Sequence, residues 1–351
     1  MSQTTEDAYS GNTTMADAAA WLAGKRHVVI TTHFKPDGDA VGSSLALARA
    51  LERRAWGSRV ELWYSGQLPD FLPEIAGDTP YRHLDKQPAS GDDNPDAVVV
   101  VDTGAWSQVE AVREWLRARA DRALIVDHHL NGDAGMADRR MIDAKAAAAA
   151  QLIAGLCAEL LRLPPARFPA DIAAPLYLGL ATDTGWYRYS NVTPSVMRLA
   201  ADFIEAGVAH TELFRIVEQR DRPGRLRLFG RALASLEFAD HGRVALMRLS
   251  ERDFIESDAA PGDTGGFADR LLTIETVLVA VVLSEARDHN AERIAKVSMR
   301  SKDGPGAVDV NEVTTRLGGG GHARASGARI HGTLDEARDA VLRALGAASG
   351  G

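Results

Sequence analysis

"DAVVVVDTG" (96–104) decides the architecture. Four consecutive valines leave no polar face, so the segment must be covered on both sides, as the strands of a parallel α/β sheet are. The same form recurs outward from it. "HVVITTH" (27–33), "RVELWY" (59–64) and "ALIVDHH" (123–129) are apolar runs of strand length. "AVGSSLALARALERR" (40–54) and "SQVEAVREWLRARA" (107–120) carry helical spacing between them. Strands alternating with helices predict an α/β fold with a parallel, doubly wound sheet. Further helices are expected at about 146–163, 170–182 and 194–207, the first opening on the helix-favouring alanine run 146–150.

The chain has 351 residues, too many for one ordinary core and enough for two domains. The expected division is a loose polar tail over 1–18, an α/β domain over 19–209, a charged helical linker over 210–239 broken at Pro223-Gly224, and a smaller α/β domain over 240–351. Strands of the second domain fit "GRVALMRLS" (242–250), "TVLVAVVLSE" (276–285) and "AERIAKVSMRSK" (291–302). "RLGGGGHARASGARI" (316–330) is a glycine loop leading into a strand, and "TLDEARDAVLRAL" (333–345) is a closing helix with Thr333 as its N-cap.

Hydrophobic residues make up 45% and charged residues 25%, an ordinary balance for a soluble globular chain. The net charge of −8 argues against coating long nucleic acid through a broad basic face. It leaves room for a small phosphate-bearing substrate, because metals and a few arginines can outweigh the average. No apolar run approaches the roughly 18 residues of a membrane span, and no signal peptide precedes the first strand, so the expected compartment is the cytoplasm. The sole cysteine, Cys157 in "QLIAGLCAELL", excludes a disulfide framework and fits a buried helix position.

Chemistry collects where the strands end. His33 closes the first strand, with Asp37 and Asp39 in the loop after it. Asp102 ends the valine strand, and Asp127, His128 and His129 end "ALIVDHH". Ligands of parallel α/β sheets bind outside the carboxyl ends of the strands, so these clusters can converge. Asp183, after an apolar helix in "GLATDTGWYRYSN", is a fourth candidate. Singly each is ordinary: an aspartate there is commonly a turn residue or helix cap, a lone histidine commonly a satisfied core residue. Together they place five carboxylates and three imidazoles on one sheet edge of an acidic protein, which is self-repulsive without a cation. An oxygen-rich set with imidazole and no thiolate favours manganese or magnesium over structural zinc. The ligand number suits two ions sharing a carboxylate, about 3.5–4 Å apart, as in sites for in-line displacement at phosphorus.

The ordered segments "HFKPDGDAVGS", "VVDTG", "VDHH" and "TDTG" resemble the four motifs of the DHH phosphoesterases. "VSMRSK" (297–302) and "GGGGHARASGA" (318–328) resemble the DHH-associated C-terminal domain. The resemblance runs over roughly residues 20 to 346 and is nearest to the bifunctional oligoribonuclease (nanoRNase) and 3′-phosphoadenosine 5′-phosphate (pAp) phosphatase group. It implies one metal held by His33, Asp37 and Asp102, and a second by Asp39, Asp102, His128 and Asp183, with Asp102 bridging. Two divalent ions are implied, manganese being the familiar one and magnesium the alternative. Asp127 is implied to orient a histidine, and His129 to sit beside the substrate phosphate. Phe34-Lys35 departs from the polar residues usual between the motif histidine and proline, which bears on substrate detail.

In the second domain, Gly318 to Gly321, including Gly319 and Gly320, can let the backbone approach an anion, with His322 and Arg324 following at once. Arg300 can grip a phosphate, and Ser298 or Ser301 can add a hydroxyl. Alone, a glycine run is commonly a flexible turn and a terminal arginine a solvated strand end. Together they suggest a clamp for the far end of a short nucleotide. The implied partners are short RNA oligonucleotides, dinucleotides or pAp, with no membrane; a homodimer is left open. The rival readings are a cyclic-dinucleotide phosphodiesterase and a catalytically silent nucleotide-binding sensor. The sensor predicts damage to at least one metal ligand, and all six are present.

Overall fold

The computed structural model describes residues 9–54, 58–288 and 290–348. Two compact units divide between Gln219 and Arg220. Among the described residues of the first unit, six strands form one parallel sheet: β1 His27–Thr32, β2 Arg59–Tyr64, β3 Tyr81–His83, β4 Ala97–Val101, β5 Ala123–Asp127 and β6 Arg139–Ile142. Their order is β3-β2-β1-β4-β5-β6. Successive residues of the central strands feed opposite faces, as the pleat requires. Val28, Ile30, Val99, Val101, Leu124 and Val126 join a core with the helices Gly38–Arg54, Ala149–Leu161 and Ala170–Asp183. Val29, Val98, Val100 and Ile125 join a second core with Trp63, Trp115 and Leu116. The valine run is therefore buried on both sides, as its composition requires.

Several elements differ from expectation. Residues 107–120 are short turns around one five-residue helix, Arg113–Arg117. The chain breaks after it because the Arg119 guanidinium folds back onto the carbonyls of Trp115 and Asp93. The edge strands β3 and β6 are short and half-exposed, so no apolar run announced them. The alanine run becomes helical only at Ala149, where the buried Asp39 carboxylate accepts the amides of Ala149 (2.6 Å) and Ala150 (2.8 Å). Cys157 is buried in that helix, and burial pushes its thiol pKa up.

The loose tail expected over 1–18 is corrected for residues 9–18; residues 1–8 lie outside the described residues. The amides of Asn12 and Thr13 both donate to Arg140 O on β6, and the Asn12 side chain accepts from Arg140 N at 2.8 Å. Thr14 then caps the helix Met15–Ala23 by accepting from Asp17 N. Polar composition here reflects hydrogen bonding to a sheet edge.

In the second unit, β7 Glu237–Ala239, β8 Val244–Leu249, β9 Val279–Arg287, β10 Arg293–Ser301, β11 Gly320–His322 and β12 Ala325–His331 form a mixed sheet in the order β11-β12-β10-β9-β8-β7. Only the β8–β9 pair is parallel among the described residues. The segment 210–239 is shared between the units. Leu213 and Ile216 of the helix His210–Glu218 pack in the first core. Leu228 and Ala232 of Pro223–Ala234 pack with Ala245 and Met247 of the second unit. The closing helix Leu334–Ala348 starts at Thr333, whose hydroxyl accepts from Glu336 N while Glu336 accepts from Thr333 N.

Candidate metal centre

β1 and β4 are neighbours, and the chain leaves them toward opposite edges of the sheet. Their following loops therefore diverge, opening the crevice in which doubly wound sheets bind ligands. His33 follows β1, Asp102 follows β4, and His128 follows β5. Asp39 lies in the first turn of Gly38–Arg54, and Asp183 is the last residue of Ala170–Asp183. These two helices touch through glycine: a Cβ on Gly42 would fall 2.1 Å from Pro175 O, and one on Gly179 would fall 2.7 Å from Asp39 Oδ1.

The ligand atoms gather in three overlapping sets, one of which brings a His129 nitrogen near Asp102 and His128; the other two carry the remaining acids. In one, His33 Nε2 lies 3.5 Å from Asp102 Oδ2 and 3.7 Å from Asp37 Oδ1. In the other, His128 Nε2 lies 3.3 Å from Asp102 Oδ1 and 3.1 Å from Asp183 Oδ2, with Asp39 close enough to share a cation with His128 and Asp183. Asp102 thus turns one oxygen to each histidine. Its backbone sits at φ 61°, a left-handed conformation that aspartate tolerates better than most residues.

The donors fit divalent cations. Asp102 Oδ1 and His128 Nε2 are buried, and neither has a hydrogen-bond partner among the described residues. A buried polar atom left so is costly unless something else meets it. Both imidazoles present the correct nitrogen. His33 Nδ1 lies 3.1 Å from Phe34 O and His128 Nδ1 lies 3.3 Å from Ala146 O, so each ring can donate backward from Nδ1 and, once a cation displaces the proton on Nε2, present that nitrogen inward. The field is also one a cation relieves. Burial and the charges of Asp102 and Asp183 hold the Asp39 carboxyl well above its usual range. Burial opposes charge on His33, yet Asp102 and Asp37 push its pKa up to about 11. His128 is likewise raised to about 11 against its burial, by Asp102 and Asp183.

Asp127 is fully buried. Its Oδ1 accepts from His129 Nδ1 at 2.7 Å and from His128 N at 2.8 Å. The carboxylate therefore orients His129, whose ring is half-exposed. The hydrogen bond to Asp127 raises the His129 pKa and favours its charged form. Tyr9 was absent from the sequence expectations, yet its hydroxyl donates to Asp127 Oδ2 at 2.5 Å. No local signal could have found it, since the partners lie 118 residues apart.

In the second unit, Ser298 and Arg300 share the exposed face of β10, whereas Ser301 points into the opposite side. Ser301 is buried and accepts from Arg324 Nη1, so its assignment beside Arg300 is corrected; the two-residue period of a strand was the overlooked signal. Register aligns Arg300 with Ala325 and Ala325 with His322, and Ser298 with Gly327 and Gly327 with Gly320. Facing residues of antiparallel strands share a face, so Ala325 and Gly327 floor a shelf between Arg300 and His322. Three of the four glycine amides already have partners within the chain. Gly318 and Gly319 donate to Thr315 O and Thr314 O, and Gly321 donates to Asn311 Oδ1. Glycine is needed because a Cβ on Gly319 would fall 2.1 Å from Gly327 O. Arg324 is held by Asp303 and Val308 O.

Residues 27–180 match the model of the DHH family, N-terminal domain, and residues 242–347 that of the DHHA1 domain. The chain is 32% identical over 320 residues to the bifunctional oligoribonuclease and PAP phosphatase NrnA of Thermus thermophilus, covering 91% of this chain and 89% of that protein. The crystal structure of an exopolyphosphatase-related protein from Bacteroides fragilis matches with a TM-score of 0.84 at 24% identity, over 95% of this chain and 96% of that one. RecJ of Thermus thermophilus, crystallised in complex with Mn2+, matches with a TM-score of 0.52 at 19% identity, over 95% of this chain and 54% of that one. A DHH domain with its acids and histidines gathered at one switch point, followed by a DHHA1 domain, makes this chain a hydrolase belonging to the DHH family of phosphoesterases.

Proposed function

We propose that the protein hydrolyses short oligoribonucleotides and dinucleotides to 5′-mononucleotides, and pAp to AMP, with two manganese ions. The observation that carries this reading is Asp102: a buried carboxylate with one oxygen turned to Nε2 of His33 and the other to Nε2 of His128. His33, Asp37 and Asp102 would hold one ion, and Asp39, Asp102, His128 and Asp183 the other. When bound, such a pair activates water and neutralises charge developing at phosphorus.

The chain's own residues supply the rest. Hydrolysis breaks the bond between phosphorus and the leaving ribose oxygen, and that oxygen must gain a proton. His129 is half-exposed and held by Asp127, with its charged form favoured, so it can bind a phosphoryl oxygen or donate that proton. Arg300, Ser298 and His322 border the shelf on the second unit's sheet, and in this reading they bind the part of the nucleotide distant from the scissile bond.

The test is a panel of dinucleotide, longer RNA, cyclic dinucleotide and pAp, each assayed with manganese and with magnesium. Manganese-stimulated release of mononucleotide from the dinucleotide, exceeding that from longer RNA, is expected. Asp102→Ala should lose metal binding and essentially all turnover; retained manganese-dependent hydrolysis in that variant would sink the reading. Binding without release would support a sensor instead.

A further inference from the structure

We infer that Tyr9 is a positioning residue for His129, acting through Asp127; this rests on the reading above that His129 meets the substrate phosphate. Asp127 has no exposed surface, and each of its oxygens has a distinct task. Oδ1 takes the His129 ring N–H and the amide of His128, while Oδ2 takes the Tyr9 hydroxyl. The carboxylate plane, and with it the imidazole, is therefore fixed from two sides.

Tyr9 occupies a slot built for its ring. A Cβ on Gly104 would fall 1.8 Å from Tyr9 Oη, and one on Gly132 would fall 2.6 Å from the ring. Those glycines follow Asp102 and His129 closely in sequence, and Asp133 N donating to Gly104 O at 2.7 Å ties their loops together. The backbone carrying Tyr9 is strapped along β6 through Asn12, and Arg140 Nε donates to Ser10 O. An N-terminal strap thus delivers one hydroxyl to the back of the triplet that ends β5.

Histidine-ring 15N–1H spectra of the full-length, magnesium-loaded protein test this without turnover. The His129 signal is assigned by its disappearance in His129→Ala. In Tyr9→Phe the His129 Nδ1–H signal should shift or broaden through faster exchange, while those of His33 and His128 stay in place. An unchanged His129 signal overturns the inference. A double-mutant cycle gives the second readout. Tyr9→Phe should lower kcat roughly tenfold with KM nearly unchanged, as loss of an outer hydrogen-bonding partner does. In the His129→Ala background it should cost nothing further; an equal loss in both backgrounds indicates a merely structural tyrosine and overturns the role. Should Tyr9→Phe fail to fold, Asn12→Ala loosens the strap and should move the same His129 signal. A wild-type enzyme inactive on the whole panel would refute the proposed function, and the spectra would still decide the role of Tyr9.

Discussion

Asp102 concentrates the chemistry at the scale of one residue. It follows a fully buried strand at positive φ, and its amide donates to Val126 O at 2.9 Å. That bond fixes the carboxylate between two imidazoles. Asp102→Asn preserves shape but removes the shared charge, so manganese affinity should fall by at least about 100-fold, measurable by free-Mn2+ electron paramagnetic resonance. His129→Ala should behave oppositely. Metal binding should persist while kcat drops about 10²–10³-fold, the range of a lost acid or phosphate contact. The gathering of His33, Asp37, Asp39, Asp102, His128 and Asp183 was legible because each sits at or just beyond the end of a strand or helix, and topology alone brings such ends together. The second-domain roles were less legible. Whether a glycine amide is free depends on Thr314 and Asn311, which no local pattern names as its partners. Asp39 carries a task that spacing could not reveal, since it also caps a helix starting 110 residues later.

The helices Gly38–Arg54 and Ala170–Asp183 set the distance between Asp39 and Asp183. Gly42 makes their contact possible, because any side chain there meets Pro175 O. Gly42→Ala should destabilise the protein by about 3 kcal/mol, as overpacking does, and should weaken manganese binding by moving Asp39 off Asp183. Thermal unfolding and metal titration of that variant check both effects. Gly91→Ala is the control; a Cβ there meets nothing within 4 Å, so little change is expected. Pro175 poses a second element-scale problem, for it lacks the N–H that would satisfy the carbonyl of Asp171. Arg49 Nη1 donates to that carbonyl at 2.6 Å, and Nη2 also reaches Ile75 O and Ala76 O. Arg49→Lys cannot span these acceptors with one ammonium and should cost about 2 kcal/mol in urea unfolding. The helices themselves were legible from apolar spacing, but this closeness was not, because a glycine inside a helical pattern does not say what approaches it.

The two units have separate hydrophobic cores, and the buried candidate metal centre lies wholly in the first, whereas the acid and imidazole group of the second, Asp288, Glu292 and His331, is largely exposed. Metal affinity and stability should therefore be linked in one unit alone. Without cations, burial and mutual repulsion raise the carboxyls of Asp39 and Asp183, so the metal-free first unit carries an electrostatic cost that the second lacks. A ligand that binds only the folded state at a hundredfold excess over its Kd stabilises by about 2.7 kcal/mol. For a unit of this size each kcal/mol moves Tm by roughly 2–4 °C, so filling one manganese site should raise one calorimetric transition by about 5–10 °C and filling both by about twice that. The transition of residues 220–351 should stay within a degree or so under the same conditions, because mass action reaches only the unit that binds. Chelation should reverse the shift, and Asp102→Asn should abolish it while leaving the second transition in place. An equal shift of both transitions would mean that the units unfold as one, and the separate cores would then not define separate cooperative units.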